Sequence, residues 1–306
     1  MAPLLSAPPP MAFGCMQFGA RADDAASAAL FHAARAAGIV HFDTAHGYSG
    51  GASERILGRL AMAERERLII ATKAGYQGGA GRANLLAQVD DSRRRLDMDR
   101  IDLLYLHRHD RDTPLEESLE TLAGLQAAGV IGAIGLSNFA AWAVMKAQAI
   151  ALRLGTRIDA IQPMYSLVKR QAEVELLPMA QDQGLAVFSY SPLGAGLLTG
   201  KYAAGGSGRL AEDARYAARY ADPAAHRAAA GLAQLATDTG HHPATLAVAW
   251  VMAHPARPRP IISARDAGQL APALAALHIR PDPDLLARIG ALYPAPPPAT
   301  DRTEET

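Results

Sequence analysis

Gly38-Ile39-Val40-His41-Phe42-Asp43-Thr44-Ala45-His46-Gly47-Tyr48-Ser49 joins an apolar, β-branched run to a carboxylate, a phenol and two imidazoles. Read as a buried strand, the run leaves Asp43 at its C-terminal end and Tyr48 on the following loop. Polar endings of this kind recur along the chain. Lys73, His107 and Ser137-Asn138 each close an apolar run, at intervals of about thirty residues.

Working outward, short Val/Ile/Leu/Ala-rich runs alternate with helical patterns bounded by cap signals. Strands are expected at 12–16, 39–42, 68–72, 101–106, 130–136, 158–162, 185–190 and 261–263. The clearest helix lies between the fourth and fifth, with Thr113 as cap, Pro114 in its first position and Glu116 completing a capping box. Leu115, Leu119, Leu122 and Leu125 share its apolar face and Gly129 ends it. The helix after the sixth strand opens with Glu173 and Glu175 and stops at Gly184.

Eight such units argue for an α/β protein built as a closed (β/α)8 TIM barrel, although a doubly wound sheet gives a similar local pattern. No G-x-G-x-x-G follows the first strand, where a dinucleotide-binding open sheet carries its phosphate fingerprint. No linker divides the chain, so 1–306 is expected to be one domain, with 1–10 and 294–306 frayed.

Composition excludes several classes. Thirty basic and thirty acidic residues give zero formal charge, so nothing points to nucleic acid or an anionic membrane. The lone Cys15 rules out an internal disulfide framework and a cysteine-based metal site. No signal peptide is recognised at the N-terminus, and no run approaches the roughly 18 apolar residues of a membrane span. The expectation is a cytoplasmic protein, monomeric or homodimeric.

In a barrel all strand ends open on the face where active sites form, which brings Asp43, Lys73, His107, Ser137, Asn138, Gln162 and Tyr190 together. Each alone has a structural reading: Asp43 as a turn acceptor, His107 as a satisfied core histidine, Tyr48 as a loop aromatic. Jointly they favour chemistry. A strand-end lysine is costly to bury unpaired, and Asp43 on the neighbouring strand is its partner. An ammonium beside a phenol stabilises the phenolate, so Tyr48 can give a proton to a developing alkoxide while Lys73 is held charged by Asp43 and His107 orients the carbonyl.

These residues resemble the aldo-keto reductases. The resemblance runs through Phe42-Asp43-Thr44-Ala45-His46-Gly47-Tyr48, Ala71-Thr72-Lys73, Leu104-Tyr105-Leu106-His107-Arg108, Gly135-Leu136-Ser137-Asn138-Phe139, Gln162 with Tyr165-Ser166, and Tyr190-Ser191-Pro192-Leu193 to Gly200-Lys201. Between Gln162 and Tyr202 the chain is most similar to the aflatoxin-aldehyde reductase branch. The resemblance implies NADPH-dependent reduction of aldehydes and ketones, with Asp43, Tyr48, Lys73 and His107 as the catalytic tetrad. It also implies that Ser137, Asn138 and Gln162 hold the nicotinamide carboxamide, and that Tyr190 stacks on the ring beside Ser191. Leu193, Gly194, Leu198 and Lys201 would line the pyrophosphate. Ser263, Arg265 and Gln269 would meet a 2′-phosphate, whereas Pro272-Ala273 replaces the family's usual Glu-Asn on adenine, leaving NADH possible.

The substrate is expected to be a small or medium-sized carbonyl compound, among Met16, Phe18, Tyr48, Tyr76, Arg108 and His109. The segment from Tyr202 to Asp222, with Arg209, Arg215 and Arg219, would close over the cofactor or an anionic substrate. Two other readings are a metal-dependent barrel hydrolase built on His107 and His109, and a non-enzymatic cofactor-binding subunit that senses redox state.

Overall fold

The computed structural model describes residues 10–202 and 205–300. Residues 1–9 and 301–306, which include most of the ends expected to fray, lie outside the described residues. Eight parallel strands close into a barrel in the order β1 to β8. They are Ala12–Gly14, His41–Asp43, Ile69–Ala74, Ile101–Leu106, Ile131–Ser137, Ala160–Gln162, Ala186–Tyr190 and Arg259–Ile262. The first expected strand is cut short because Cys15–Gln17 turn into a 3-10 helix.

The helices are α1 (Asp24–Ala36), α2 (Ala52–Ala61), α3 (Arg82–Leu96), α4 (Leu115–Ala127), α5 (Ala141–Arg153) and α6 (Leu176–Asp182), followed by α7 (Arg209–Glu212), α8 (Ala214–Arg219), α9 (Pro223–Thr239), α10 (Pro243–Met252), α11 (Ala267–Leu274) and α12 (Pro283–Gly290). On α4 the four leucines are buried as the periodicity predicts. Its N-terminus differs from expectation. Pro114 is itself the N-cap with no side-chain cap bond, because the Thr113 hydroxyl donates instead to Asp110 at 2.7 Å. The residues expected to open the helix after β6 also precede it. Glu173 sits in a separate turn and accepts bonds from Arg170 and the Tyr165 hydroxyl, and Glu175 caps α6 without a side-chain bond.

Two apolar layers result. Outward-facing strand residues pack under the helices, while a smaller cluster of Ala12, Ala71, Leu103, Tyr105, Ala133, Ala160, Ala186, Phe188 and Ile261 fills the barrel. Barrel interiors are ordinarily packed with branched side chains. Here five alanines leave room for the larger Tyr105 and Phe188, and for His41, whose ring meets Phe188 edge-on at 4.4 Å. Register decides where Tyr105 fits: it pairs with Gly135 on β5, where a Cβ would lie 2.3 Å from the tyrosine ring. Gly135→Ala is therefore expected to overpack the barrel and cost about 1–3 kcal/mol, read as a lowered denaturation midpoint with an unchanged slope.

Candidate active site

The site is assembled at the C-terminal ends of β2, β3 and β4. Asp43 ends β2, and backbone bonds carry the ladder one step further, from Thr44 N–H to Ala71 O at 2.8 Å and from His46 N–H to Lys73 O at 3.0 Å. Lys73, inside β3, is 1% exposed and Asp43 3%. Its ammonium donates to Asp43 Oδ1, to Thr44 O at 2.8 Å and to the Tyr48 hydroxyl at 3.4 Å, which occupies all three of its donors. The second Asp43 oxygen accepts from Gln162 Nε2 at 2.8 Å, so a side chain from β6 braces the pair from across the barrel.

Tyr48 begins a tight 3-10 turn, Tyr48–Gly51, in which Ser49, Gly50 and Gly51 have φ of 50°, 59° and 86°. Three successive residues in the left-handed region reverse the chain and return the phenol to the strand ends. His107 follows β4 directly and is tied to β3 by its N–H to Ala74 O at 2.8 Å. Its ring meets Tyr48 edge-on at 5.8 Å and Tyr76 at 4.9 Å.

Burial raises the Tyr48 pKa and outweighs the downward pull of Lys73, so the phenol keeps its proton near neutrality. The effect of Lys73 has the expected sign and is the smaller of the two. Burial alone would lower the Lys73 pKa, but the charge of Asp43 and the presence of Tyr48 reverse this and hold the ammonium charged. Burial, with Lys73 and Arg108 nearby, pushes His107 down to about 3, leaving a neutral imidazole. His41 is pushed to about 3 by burial and by Lys73 and Arg259, and it faces the barrel interior, where neither ring nitrogen has a partner.

Around the other half of the mouth, Ser137 Oγ donates to Gln162 O at 3.0 Å. Asn138 donates to His107 O at 2.9 Å and accepts from the Tyr190 hydroxyl at 2.6 Å. Burial raises the Tyr190 pKa to about 12. Asn138, Ser191 and Ala195 adopt φ of 60°, 61° and 58°. With Ser49, four of the six described non-glycine residues at positive φ thus stand on these strand-end loops, where such backbone commonly serves a site. Gly194, at φ 55°, opens the 3-10 segment Gly194–Thr199. Leu198 is fully buried and its N–H donates to Leu193 O at 3.2 Å, so its side chain belongs to the core.

Beyond this loop, burial lowers the Lys201 pKa; Arg265, Arg209 and Arg21 add to the effect and Glu212 opposes it. Ser263 presents a buried hydroxyl with no partner, and the Arg265 and Gln269 side chains lie against each other. Pro272 lies inside α11 with its carbonyl taken by Thr245 Oγ1 at 2.7 Å, and Ala273 is buried. The pattern of cations, unpaired hydroxyl and positive-φ backbone fits a dinucleotide with an added phosphate.

Some expected substrate contacts change. Phe18 is fully buried against Phe13, with ring centroids 5.7 Å apart, and belongs to the core. Met16 and Tyr76 are exposed, and Arg108 lies 4.9 Å over the Tyr76 ring. The His109 ring packs on Phe139 at 5.0 Å and meets Trp142 edge-on at 5.6 Å. Among the described residues no three His, Cys, Asp or Glu side chains are placed to hold a metal. Sequence reading missed Trp142, 63% exposed at the start of α5, and the Arg21–Glu212 ion pair of 2.6 Å that ties α7 to the loop after β1. One of the two tryptophans and one arginine among many carried no positional signal. Tyr216, on the segment expected to close over the site, lies between Arg209 and Arg219, and Arg219 is close enough to Tyr190 for its charge to act there.

The mouth of the closed barrel thus carries a buried Lys–Asp pair, a phenol and a neutral imidazole, with Lys201 and Arg265 beyond the loop after β7. The sequence profile of the Aldo/keto reductase family matches residues 10–294, and the chain belongs to this family. It is 33% identical to Uncharacterized oxidoreductase YrpG of Bacillus subtilis (strain 168), over 94% of this chain and 92% of that one. It is 38% identical to human Aflatoxin B1 aldehyde reductase member 2, over 65% of this chain and 58% of that one. It is 32% identical to a Probable voltage-gated potassium channel subunit beta of Oryza sativa subsp. japonica, over 93% and 92%. Family membership makes the protein an NAD(P)H-dependent oxidoreductase.

The two lowered histidines set a pH dependence. Protons bind His41 and His107 in the unfolded chain from the ordinary histidine value of about 6.5 downward, but in the folded chain only near 3. The stability of the neutral rings is thus present above that unfolded value and lost as pH falls through the window. NMR of both rings should show no titration between about pH 5 and 8. His107→Gln should flatten the acid limb of the stability profile.

Proposed function

We propose that the protein reduces aldehydes and ketones to alcohols with NADPH, and catalyses the reverse oxidation, with Tyr48 as general acid and base. The observation that carries this reading is the Tyr48 hydroxyl 3.4 Å from Lys73 Nζ, with Lys73 ion-paired to Asp43. Tyr48 is kept protonated by burial and passes its proton to the carbonyl oxygen as negative charge develops there. Lys73, fixed and charged, stabilises the phenolate left behind. The neutral His107 imidazole donates to the same oxygen and orients the carbonyl. When bound, the nicotinamide supplies hydride to the carbonyl carbon.

Ser137, Asn138 and Gln162 would hold the carboxamide. Gln162 commits its amide nitrogen to Asp43, leaving its carbonyl oxygen to accept from the carboxamide. Asn138 would give up its bond from Tyr190, whose ring would stack on the nicotinamide beside Ser191. Leu193, Gly194 and Leu198 would line the pyrophosphate, and Lys201 would lend its charge. Ser263, Arg265 and Gln269 would take the 2′-phosphate, favouring NADPH, with NADH accepted more weakly. The substrate is a small or medium-sized carbonyl compound, and the protein a cytoplasmic monomer or homodimer without nucleic-acid or membrane partners.

The rival reading, a cofactor-binding subunit, takes its support from the rice and Arabidopsis thaliana relatives named as potassium channel subunits beta. An aldehyde panel run with NADPH and NADH in parallel separates the two. Turnover by the native protein and a loss of about 10²–10⁴-fold in Tyr48→Phe, with NADPH binding retained, is the expected result. A protein that binds NADPH but oxidises none of it across the panel would establish the rival. Arg265→Ala should raise KM for NADPH about ten- to hundredfold, from the loss of a charge-assisted bond worth roughly 1.5–3 kcal/mol, and leave KM for NADH unchanged.

A further inference from the structure

Arg95 stands near the end of α3, outside the catalytic cluster, yet it touches the Tyr48 loop on both sides of the tyrosine. Its Nη1 donates to His46 O at 2.9 Å, two residues before Tyr48. Its guanidinium lies against Gly51, three residues after, where a Cβ would come within 2.7 Å of Cζ and Nε. The same Nη1 is 3.3 Å from Oε2 of Glu54, a fully buried carboxylate whose other oxygen accepts from Thr72 Oγ1 at 2.7 Å. Thr72 is the residue before Lys73.

We propose that Arg95 is a positioning residue, clamping the loop from His46 to Gly51 so that the Tyr48 hydroxyl stays beside Lys73, with Glu54 holding the guanidinium and tying it to β3. The inference rests on the role given to Tyr48 above. Lys73 is secured by Asp43 and Thr44 whether or not the loop moves. The Tyr48 N–H is bonded to Ala45 O at 3.0 Å within the loop itself, which does not fix the hydroxyl against β3. The hydroxyl's contact with Lys73, at 3.4 Å, is the longest bond the ammonium makes, and the turn behind it runs through three left-handed residues that relax unless held. A planar fork can lie on Gly51 while donating to His46 O and Glu54, and an ammonium cannot.

The test compares the native protein with Arg95→Ala, Arg95→Lys and Tyr48→Phe for aldehyde reduction, NADPH binding and the pH profile of alcohol oxidation. Arg95→Ala is expected to lose about 10–100-fold in kcat, with NADPH affinity unchanged. Its oxidation profile should move to higher pH, because the phenol loses the lowering influence of Lys73. Added guanidinium should restore part of kcat to Arg95→Ala, and Arg95→Lys should fall between Arg95→Ala and the native protein. Native kcat and pH profile in Arg95→Ala would overturn the inference, whatever happens to the melting temperature. A kcat loss matched by loss of NADPH binding would overturn it too. Should Arg95→Ala not fold, Arg95→Lys is judged by the same two readouts: a lowered kcat with the shifted profile supports the clamp and native values overturn it. Tyr48→Phe retaining turnover would sink the assignment of Tyr48 and this inference with it, whereas an inactive Tyr48→Phe beside an unaffected Arg95→Ala would overturn the inference alone.

Discussion

The buried ion pair between Lys73 and Asp43 is the constraint around which the barrel mouth is arranged. Removing both charges from water is costly, and their attraction offsets that cost only with good geometry and every remaining donor and acceptor satisfied. Both conditions are met. The ammonium reaches a carboxylate, a backbone carbonyl and a phenol, and the second carboxylate oxygen accepts from Gln162. The arrangement depends on the β2–β3 register, which sets Asp43 opposite Ala71. Slipping that register by one residue would turn the lysine out of the barrel.

The interior below the pair is unusual in the same economical way. Alanines on several strands create the space that Tyr105, Phe188 and His41 fill, and Gly135 lets the Tyr105 ring approach β5. Polar atoms are tolerated there. Among the described residues neither His41 nitrogen has a hydrogen-bond partner, and burial lowers the His41 pKa and raises the Tyr105 pKa well above its ordinary value, so neither ring is charged near neutrality.

The mouth divides into two halves. Strands β2 to β4 carry the pair, the phenol and the imidazole, and they are rigidly bonded to one another. Strands β5 to β8 carry the positive-φ loops, with Lys201 and Arg265 beyond them. Loops between them, with Trp142, Phe139 and His109 on one side and α7 to α8 on the other, are the parts a barrel can vary without disturbing its core.

The eight-unit order, the apolar face of α4 and the strand ends at Asp43, Lys73 and His107 were legible in the chain because hydrophobic periodicity and turn chemistry are local properties. The pairing of Lys73 with Asp43 was legible too, since neighbouring strands of a parallel barrel must meet and a buried lysine needs a partner. Local rules misread Thr113, whose hydroxyl found the better acceptor in Asp110, and Phe18, which the core claimed. The bond from Gln162 to Asp43, the flat contact of Arg95 with Gly51 and the ion pair of Arg21 with Glu212 were decided only by the tertiary structure. Their partners are distant in sequence, and only closure of the barrel and the packing of helices around it fix which of several suitable groups meet.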